Sequence, residues 1–454
     1  MKRYKLKLVN KVVTGLLCST IFAPLLTNAQ SLEQAVAYSL DTNPEIRVAY
    51  TRFKVFEKLV EQAGAGYFPT VDLTGGIGYE YTDSPGTRNT RSLDADTPTL
   101  NRRELGLNLT QNLFAGFHTT SEVGRTRSDA TAEQWRLYGK AEDLALQVSK
   151  VYIALIEAKK LVELSEINLA SHQKIYEQIK SRTESGLGSS AELSQINGRL
   201  AKAHSSVIAA RNNYLDRDVT FYRVIAQRSD NLVVPYPDSS LLPEYKKEGL
   251  TTALEKNPVI KAAANDIDAA NYQYESAKST YYPKVSLVIN ANFDNNLNGI
   301  DSDSFGPNGE SNEVSAMLRF SYNIFSGGKD TAYVKETAYK INQAKDLNRS
   351  VYRQVEESFM LSWNAFEQLK LQKTHFKKHV VAAKDTQLDY LQQYRIGQRS
   401  LLDILDTENE LYQARIDFVS AEMSEIIAQY RILHAMGLLL DSLRVTRPAS
   451  WQGQ

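Results

Sequence analysis

Four stretches of the chain alternate strictly between apolar and polar positions. Val71, Leu73, Gly75, Ile77, Tyr79 and Tyr81 share one face of the first, and Leu105, Leu107 and Leu109 one face of the second. Val285, Leu287, Ile289, Ala291 and Phe293 mark the third; Val314, Ala316, Leu318, Phe320, Tyr322 and Ile324 mark the fourth. Asp72, Thr74, Asn108, Thr110, Ser286, Asn290, Asn292, Ser315, Arg319 and Ser321 stand between them. Strand side chains point alternately to the two faces, so the pattern predicts four strands of about ten residues, apolar on one side only. A soluble half-buried sheet and a sheet with its apolar face in lipid both give this alternation. The strands pair as two hairpins, about 68–114 and 283–325, with long polar segments at one end (82–103 and 294–313) and helical pattern at the other. Long loops on one side only are a property of outer-membrane barrels.

The rest of the pattern is helical. From 119 to 185 there is no proline, and Gly124 and Gly139 are the only glycines. Ala141, Leu144, Val148, Val151, Leu155, Ala158 and Val162 follow one another at alternating steps of three and four, the seam of a coiled coil. A counterpart spans 330–396, and after each glycine turn a shorter helix follows, 191–227 and 401–437. Helices over 31–64 and 248–280 open the two halves. A helix of about 67 residues is roughly 100 Å long, and the two shorter helices end to end match it. The expected shape is a rod of paired helices carrying a strand hairpin at one end.

The plan occurs twice. Asn43–Pro44 returns as Asn257–Pro258 and Tyr67–Phe68–Pro69 as Tyr281–Tyr282–Pro283, each 214 positions later. Asn112–Leu113–Phe114–Ala115–Gly116 returns as Asn323–Ile324–Phe325–Ser326–Gly327, 211 positions later, and the turn from Gly186 to Leu193 returns at the same offset from Gly397 to Ile404. This period is far too long for a solenoid. We divide the chain into a first repeat (30–230), a linker (231–247), a second repeat (248–437) and a C-terminal tail (438–454).

Residues 1–29 are expected to be an export signal. Lys2, Arg3, Lys5, Lys7 and Lys11 precede an apolar run over 12–26, and Thr27–Asn28–Ala29 offers a small-residue cleavage site. The single cysteine, Cys18, lies in that run behind Leu17, which is too large for a lipoprotein signal. The exported chain then has no thiol chemistry, and its expected source is a Gram-negative bacterium. Lys+Arg and Asp+Glu balance at 53 each, which argues against nucleic acid. No apolar run of helical length follows the signal, so a membrane role would fall to the strands. Four strands cannot close a barrel, and an open edge in lipid leaves backbone N–H and C=O groups unpaired. Strands in a membrane would therefore require several copies; eight or twelve strands would both serve.

With the duplicated strand–helix plan, the Tyr67 and Tyr281 strand entries, the Phe114 and Phe325 strand exits, and the turns at Gly186 and Gly397, the mature chain resembles the TolC family of outer-membrane channels. The resemblance implies a homotrimer with one twelve-stranded membrane β-barrel, four strands per protomer, and a periplasmic α-helical coiled-coil tunnel closed at its far tip. It implies a periplasmic adaptor (membrane fusion protein) and an inner-membrane ABC transporter, or another pump, as partners, with no cofactor. The overall wording of the chain, including the Gly186–Leu187–Gly188–Ser189 turn, looks most like the type I secretion branch, and within it resembles components exporting large adhesins (AggA/LapE-like proteins). Asp403 and Asp406 fall on the family's pore-constriction carboxylates, and Arg399 and Tyr394 on its latch positions. The latch partner site carries Glu192 in place of the family's aspartate and Ala191 in place of its threonine, which leaves a carboxylate for Arg399 but no hydroxyl for Tyr394. Gly186, Leu187, Gly397 and Gln398 fall at the adaptor-contact tip.

The residues also have plainer readings. Asp403 and Asp406 in a first helical turn suit the helix dipole. His375 and His379 are spaced for a metal, yet Lys377 and Lys378 between them point to an exposed basic face. Asp301 and Asp303 begin like a calcium loop, but Phe305, Pro307 and Asn312 depart from it. No catalytic motif is found. The competing functions are a small-molecule efflux channel of the same fold and, more distantly, a non-conducting periplasmic coiled-coil scaffold.

Overall fold

The structure, a computed structural model, describes residues 30–82, 99–296 and 310–453. The expected signal segment, most of both polar loops and the Asp301 stretch lie outside the described residues. The first repeat comprises α1 (Leu32–Thr42), α2 (Pro44–Gly64), β1 (Thr70–Tyr81), β2 (Thr99–Ala115), α3 (His118–Glu184) and α4 (Ser190–Ile225). The second comprises α5 (Lys246–Lys256), α6 (Pro258–Lys278), β3 (Lys284–Asn295), β4 (Glu310–Ser321), α7 (Lys329–Arg395) and α8 (Leu401–Ala435), followed by a short α9 (Leu439–Ser442).

Each opening segment, expected as one helix, is two. Pro44 and Pro258 have no N–H to donate and clash with the preceding turn, so the helix stops and restarts there. Asn43 and Asn257 cap the restart, accepting from the backbone N–H of Glu45 (2.8 Å) and Val259 (2.9 Å). Asn257 also donates to the carbonyl of Ala435 (2.9 Å), which ties the restart to the end of α8.

The four strands form one antiparallel sheet in the order β1-β2-β3-β4, so the central β2–β3 pair joins the two repeats. β2 reaches 17 residues, longer than expected, and carries a bulge at Leu113 against β3. Register places Val71, Leu109, Ile289 and Ala316 in one row and Asp72, Asn108, Asn290 and Ser315 in the next. The apolar face therefore continues across all four strands. Among the described residues no helix packs over it, and Leu73, Ile77, Tyr79, Leu318 and Phe320 are between 67% and 84% exposed. A 12-residue strand is roughly 40 Å long, enough to cross a bilayer at a tilt. At the helical end Phe114, Phe117 and Tyr282 meet edge to face, with centroids 5.4–6.4 Å apart, as aromatic residues do at a membrane boundary. No helix among the described residues is long and apolar enough to cross a membrane.

Both long helices have 67 residues. α3 is the spine of the protomer, packed by α2 and α6 towards the sheet and by α4 and α8 towards the far end. Its seam residues Ala141, Leu144, Val148, Leu155 and Ala158 are buried, and Tyr152, Ile153 and Ile156 widen the stripe because neighbours flank α3 on several sides. The main core forms there with Phe53, Phe221, Tyr430 and Trp451. α7 is different. It buries Thr337, Val355, Phe359, Ser362, Trp363 and Ala383, while Tyr339, Leu347, Leu361 and Leu371 stay exposed.

A buried carboxylate helps to hold the C-terminal tail to the spine. Glu142 on α3 accepts from the backbone N–H groups of Leu439 (3.0 Å) and Leu440 (3.3 Å) and from Arg447 (3.2 Å). Burial pushes its carboxyl up to about 7, against the opposing pull of Arg447 and His434. Its folded pKa lies above the ordinary 4.5, so its stabilising contribution is complete below that value and is lost as pH rises through about 7. The melting temperature of the parent, minus that of Glu142→Gln, should be more positive at about pH 5 than at about pH 8. A difference independent of pH would show that Glu142 does not titrate in this window.

Candidate functional site

The ends of α3 and α7 farthest from the sheet turn back into α4 and α8 through the same motif. The backbone N–H of Gly186 donates to Thr183 (3.0 Å) and that of Leu187 to Arg182 (2.9 Å); Gly397 donates to Tyr394 (3.0 Å) and Gln398 to Gln393 (2.9 Å). This paired closure requires a left-handed residue after the last helical turn, and Gly186 and Gly397 have φ of 75° and 79°. Leu187, at 76% exposure, and Gln398 project from the two turns. Ile175, Ile179, Ile196, Leu401, Ile404 and Leu405 form an apolar cluster that locks both turns into one tip.

The helices after the turns start differently. Ser400 and Asp403 form a reciprocal cap: Ser400 accepts from the Asp403 N–H (3.3 Å), and the Asp403 carboxylate accepts from the Ser400 N–H (3.1 Å) and hydroxyl (2.9 Å). The Ser400 hydrogen bonds, then Arg399, hold the Asp403 carboxyl below its ordinary range. In the first repeat Ser189 accepts from the Ala191 N–H (3.2 Å) instead, so Glu192, the counterpart of Asp403, is left out of the cap.

The resemblance pairs Arg399 with Glu192. Within one protomer that pair does not form. Arg399 donates to Gln393 (2.9 Å) and lies over the ring of Tyr390, 4.2 Å from its centroid, while Glu192 makes no ion pair among the described residues. Arg399 is held on its own side of the turn because Gln393 and Tyr390, in the last turns of α7, offer it both an acceptor and a π face. Tyr394 does find a partner, from outside the expected set: Arg182 of α3 donates to its hydroxyl (3.2 Å) and lies 5.6 Å from its ring centroid. Burial raises the Tyr394 hydroxyl above its usual range, and the Glu192 charge raises it further.

Asp403 and Asp406, three residues apart on α8, are not equivalent. Asp406 is paired to Arg199 of α4 (Nη2–Oδ1 2.9 Å). Arg182 and Arg199 are the two residues that sequence reasoning missed. A basic residue in a last helical turn is explained by the dipole alone, which hides Arg182. Arg199 stands two turns after Glu192 on the same face of α4, and that spacing was the available signal. His379 lies 3.4 Å from Glu410 of α8, and no metal-ligand cluster occurs among the described residues.

The model of the family described as outer membrane efflux protein matches residues 36–227 and again 249–438. The chain belongs to this family, the TolC family. Outer membrane efflux protein BepC of Brucella suis biovar 1 (strain 1330) is 22% identical, covering 93% of this chain and 88% of its own. Outer membrane protein TolC of Escherichia coli (strain K12) is 25% identical, covering 91% and 83%. Alkaline protease secretion protein AprF of Pseudomonas aeruginosa is 21% identical, covering 73% and 69%. The Campylobacter jejuni CmeC outer membrane channel superimposes with a TM-score of 0.77 at 16% identity, over 90% of this chain and 86% of that one. This TolC-family chain is an outer-membrane efflux or secretion channel of tripartite systems, not an enzyme, with a β-barrel and a helical tunnel as its fold. Channels of the family are homotrimers that work with periplasmic adaptors and inner-membrane transporters.

If Arg182 and Tyr394 hold the tip together, Arg182→Gln and Tyr394→Phe should each speed amide hydrogen exchange over 390–396 by about two- to tenfold. The double variant should add nothing further. Additive effects would show that the two residues act apart.

Proposed function

We propose that three copies of the chain close one twelve-stranded barrel and continue it as a periplasmic tunnel, forming the exit duct of a type I secretion system. The observation that carries this reading is the sheet with two open edges and one uncovered apolar face. β1 and β4 each pair on one side only within the chain. Lipid covers the apolar face, and β4 of one copy satisfies the edge of β1 in the next. The exposed apolar side chains of α7 are covered in the same assembly by a neighbouring copy.

In this reading the tip turns, at Gly186, Leu187, Gly397 and Gln398, meet a periplasmic adaptor, which couples the duct to an inner-membrane ABC transporter. Asp403 and Asp406 face the pore axis as carboxylate rings, and Arg399, Tyr394 and Glu192 take part in the latch. Energy comes from the transporter; adaptor contact parts the helix pairs at the tip. A large adhesin-type protein is the substrate that the sequence resemblance favours; the name of AprF, an alkaline protease secretion protein, supports a protein substrate without favouring an adhesin. The relatives named efflux proteins support the second reading, export of small molecules. Deleting the gene separates the two: loss of a surface-displayed protein with unchanged drug tolerance supports secretion, and the reverse supports efflux.

The duct itself is tested by current through the purified protein in a planar bilayer. Asp403→Asn is the informative variant, because the amide oxygen can still accept from Ser400 and keep the cap while the charge is gone. The parent should show a small cation-selective conductance that persists at about pH 5, since the Asp403 carboxyl is held below its ordinary range. The variant should lose part of that selectivity. An unchanged variant would move the constriction elsewhere, and no current would sink the channel reading.

A further inference from the structure

The two acids expected at the constriction have different electrostatic surroundings. Asp403 is held by the N–H and hydroxyl of Ser400, both neutral, so its carboxylate keeps its full charge. Arg399 acts on it without an ion pair, its guanidinium being turned to Gln393 and the Tyr390 ring. Asp406 instead meets the guanidinium of Arg199, 2.9 Å away, across the boundary between the two repeats. Arginine does not deprotonate in proteins, so this partner is a permanent positive charge.

We infer that Arg199 is the counter-ion of Asp406 and a selectivity-determining residue of the duct, cancelling one of its two carboxylate rings. The inference rests on the reading that Asp403 and Asp406 face the pore. Each protomer then contributes one carboxylate with no ion-pair partner among the described residues, Asp403, in place of two. The side chains of Arg199 and Asp406 are 31% and 58% exposed, so water screens their attraction and the pair adds little to stability. What it does change is the field met by a passing ion, because the pair places a fixed positive charge beside a fixed negative one in a narrow passage. A duct with two bare rings would hold multivalent cations strongly. One with a single bare ring holds them less and passes mixed-charge polymers more freely.

The test uses the full-length protein in planar bilayers, reading the reversal potential in a KCl gradient and the block by lanthanum ion. Arg199→Gln should raise cation-over-anion selectivity and lanthanum affinity at least about threefold, since it restores the second ring. Arg199→Lys should keep the parental values, because it keeps the charge. Adding Asp406→Asn to Arg199→Gln should return both readings to the parental level. The inference is overturned if Arg199→Gln leaves selectivity and block unchanged while Asp403→Asn lowers them; the constriction reading then survives without a counter-ion. If neither variant changes either reading, the constriction reading fails, and the inference fails with it.

Discussion

A backbone amide in lipid has no water to turn to, and that one constraint organises the molecule. The sheet ends at β1 and β4 with one side of each strand unpaired in the chain, and its apolar face carries no helix among the described residues. Such a sheet is incomplete on its own. Its polar face, by contrast, is closely filled: Thr74 and Asn292 come so near Gly106 that a side chain there would collide with the Thr74 hydroxyl. Tolerance is low where strands pair inside the protomer, and the loose ends are left where other copies and lipid must finish the structure.

The same division runs down the helices. Two helices of equal length from matched repeats are buried very differently, because α3 lies among α2, α4, α6 and α8 whereas α7 has α5, α6 and α8 along only part of its surface. Equal sequence plans therefore do not give equal roles. The repeat places two spines side by side, and packing makes one the axis of the protomer and the other its border. The tail behaves likewise: α9 is too short to be stable alone, and it is organised by Glu142, a side chain near the middle of α3.

At the tip, matched positions have also diverged. Both turns close through the same backbone hydrogen bonds around a left-handed glycine, so the architecture is shared. The chemistry is not: Asp403 completes a cap that its counterpart Glu192 leaves open, and Tyr394 is met by Arg182 of the other repeat. Because the turns are set by backbone geometry, side chains around them are free to change partners without moving the helices.

Strand alternation, the three-and-four seam, the glycine turns and the duplication were legible because each follows from a local period or a backbone requirement written in neighbouring residues. The Asn–Pro restarts were written there too, as capping and proline chemistry, although the segments around them read as continuous helices. The positions Asp403, Asp406, Tyr394 and Arg399 were singled out by the resemblance of the turn to the family's motif. Their pairings could not: Arg182–Tyr394 and Arg199–Asp406 join residues about two hundred positions apart, and the spacing of Arg199 from Glu192 gives its helix face but not its partner. Nothing in the local pattern marks Glu142, whose role depends on α9 packing over it. By itself, then, the sequence determined the elements, their order and their twofold plan, since hydrophobic period and backbone dihedrals are local. Only the tertiary structure decided which carboxylate is bare, which is paired and which is buried, because charge and solvation are set by whatever the fold brings within a few ångströms.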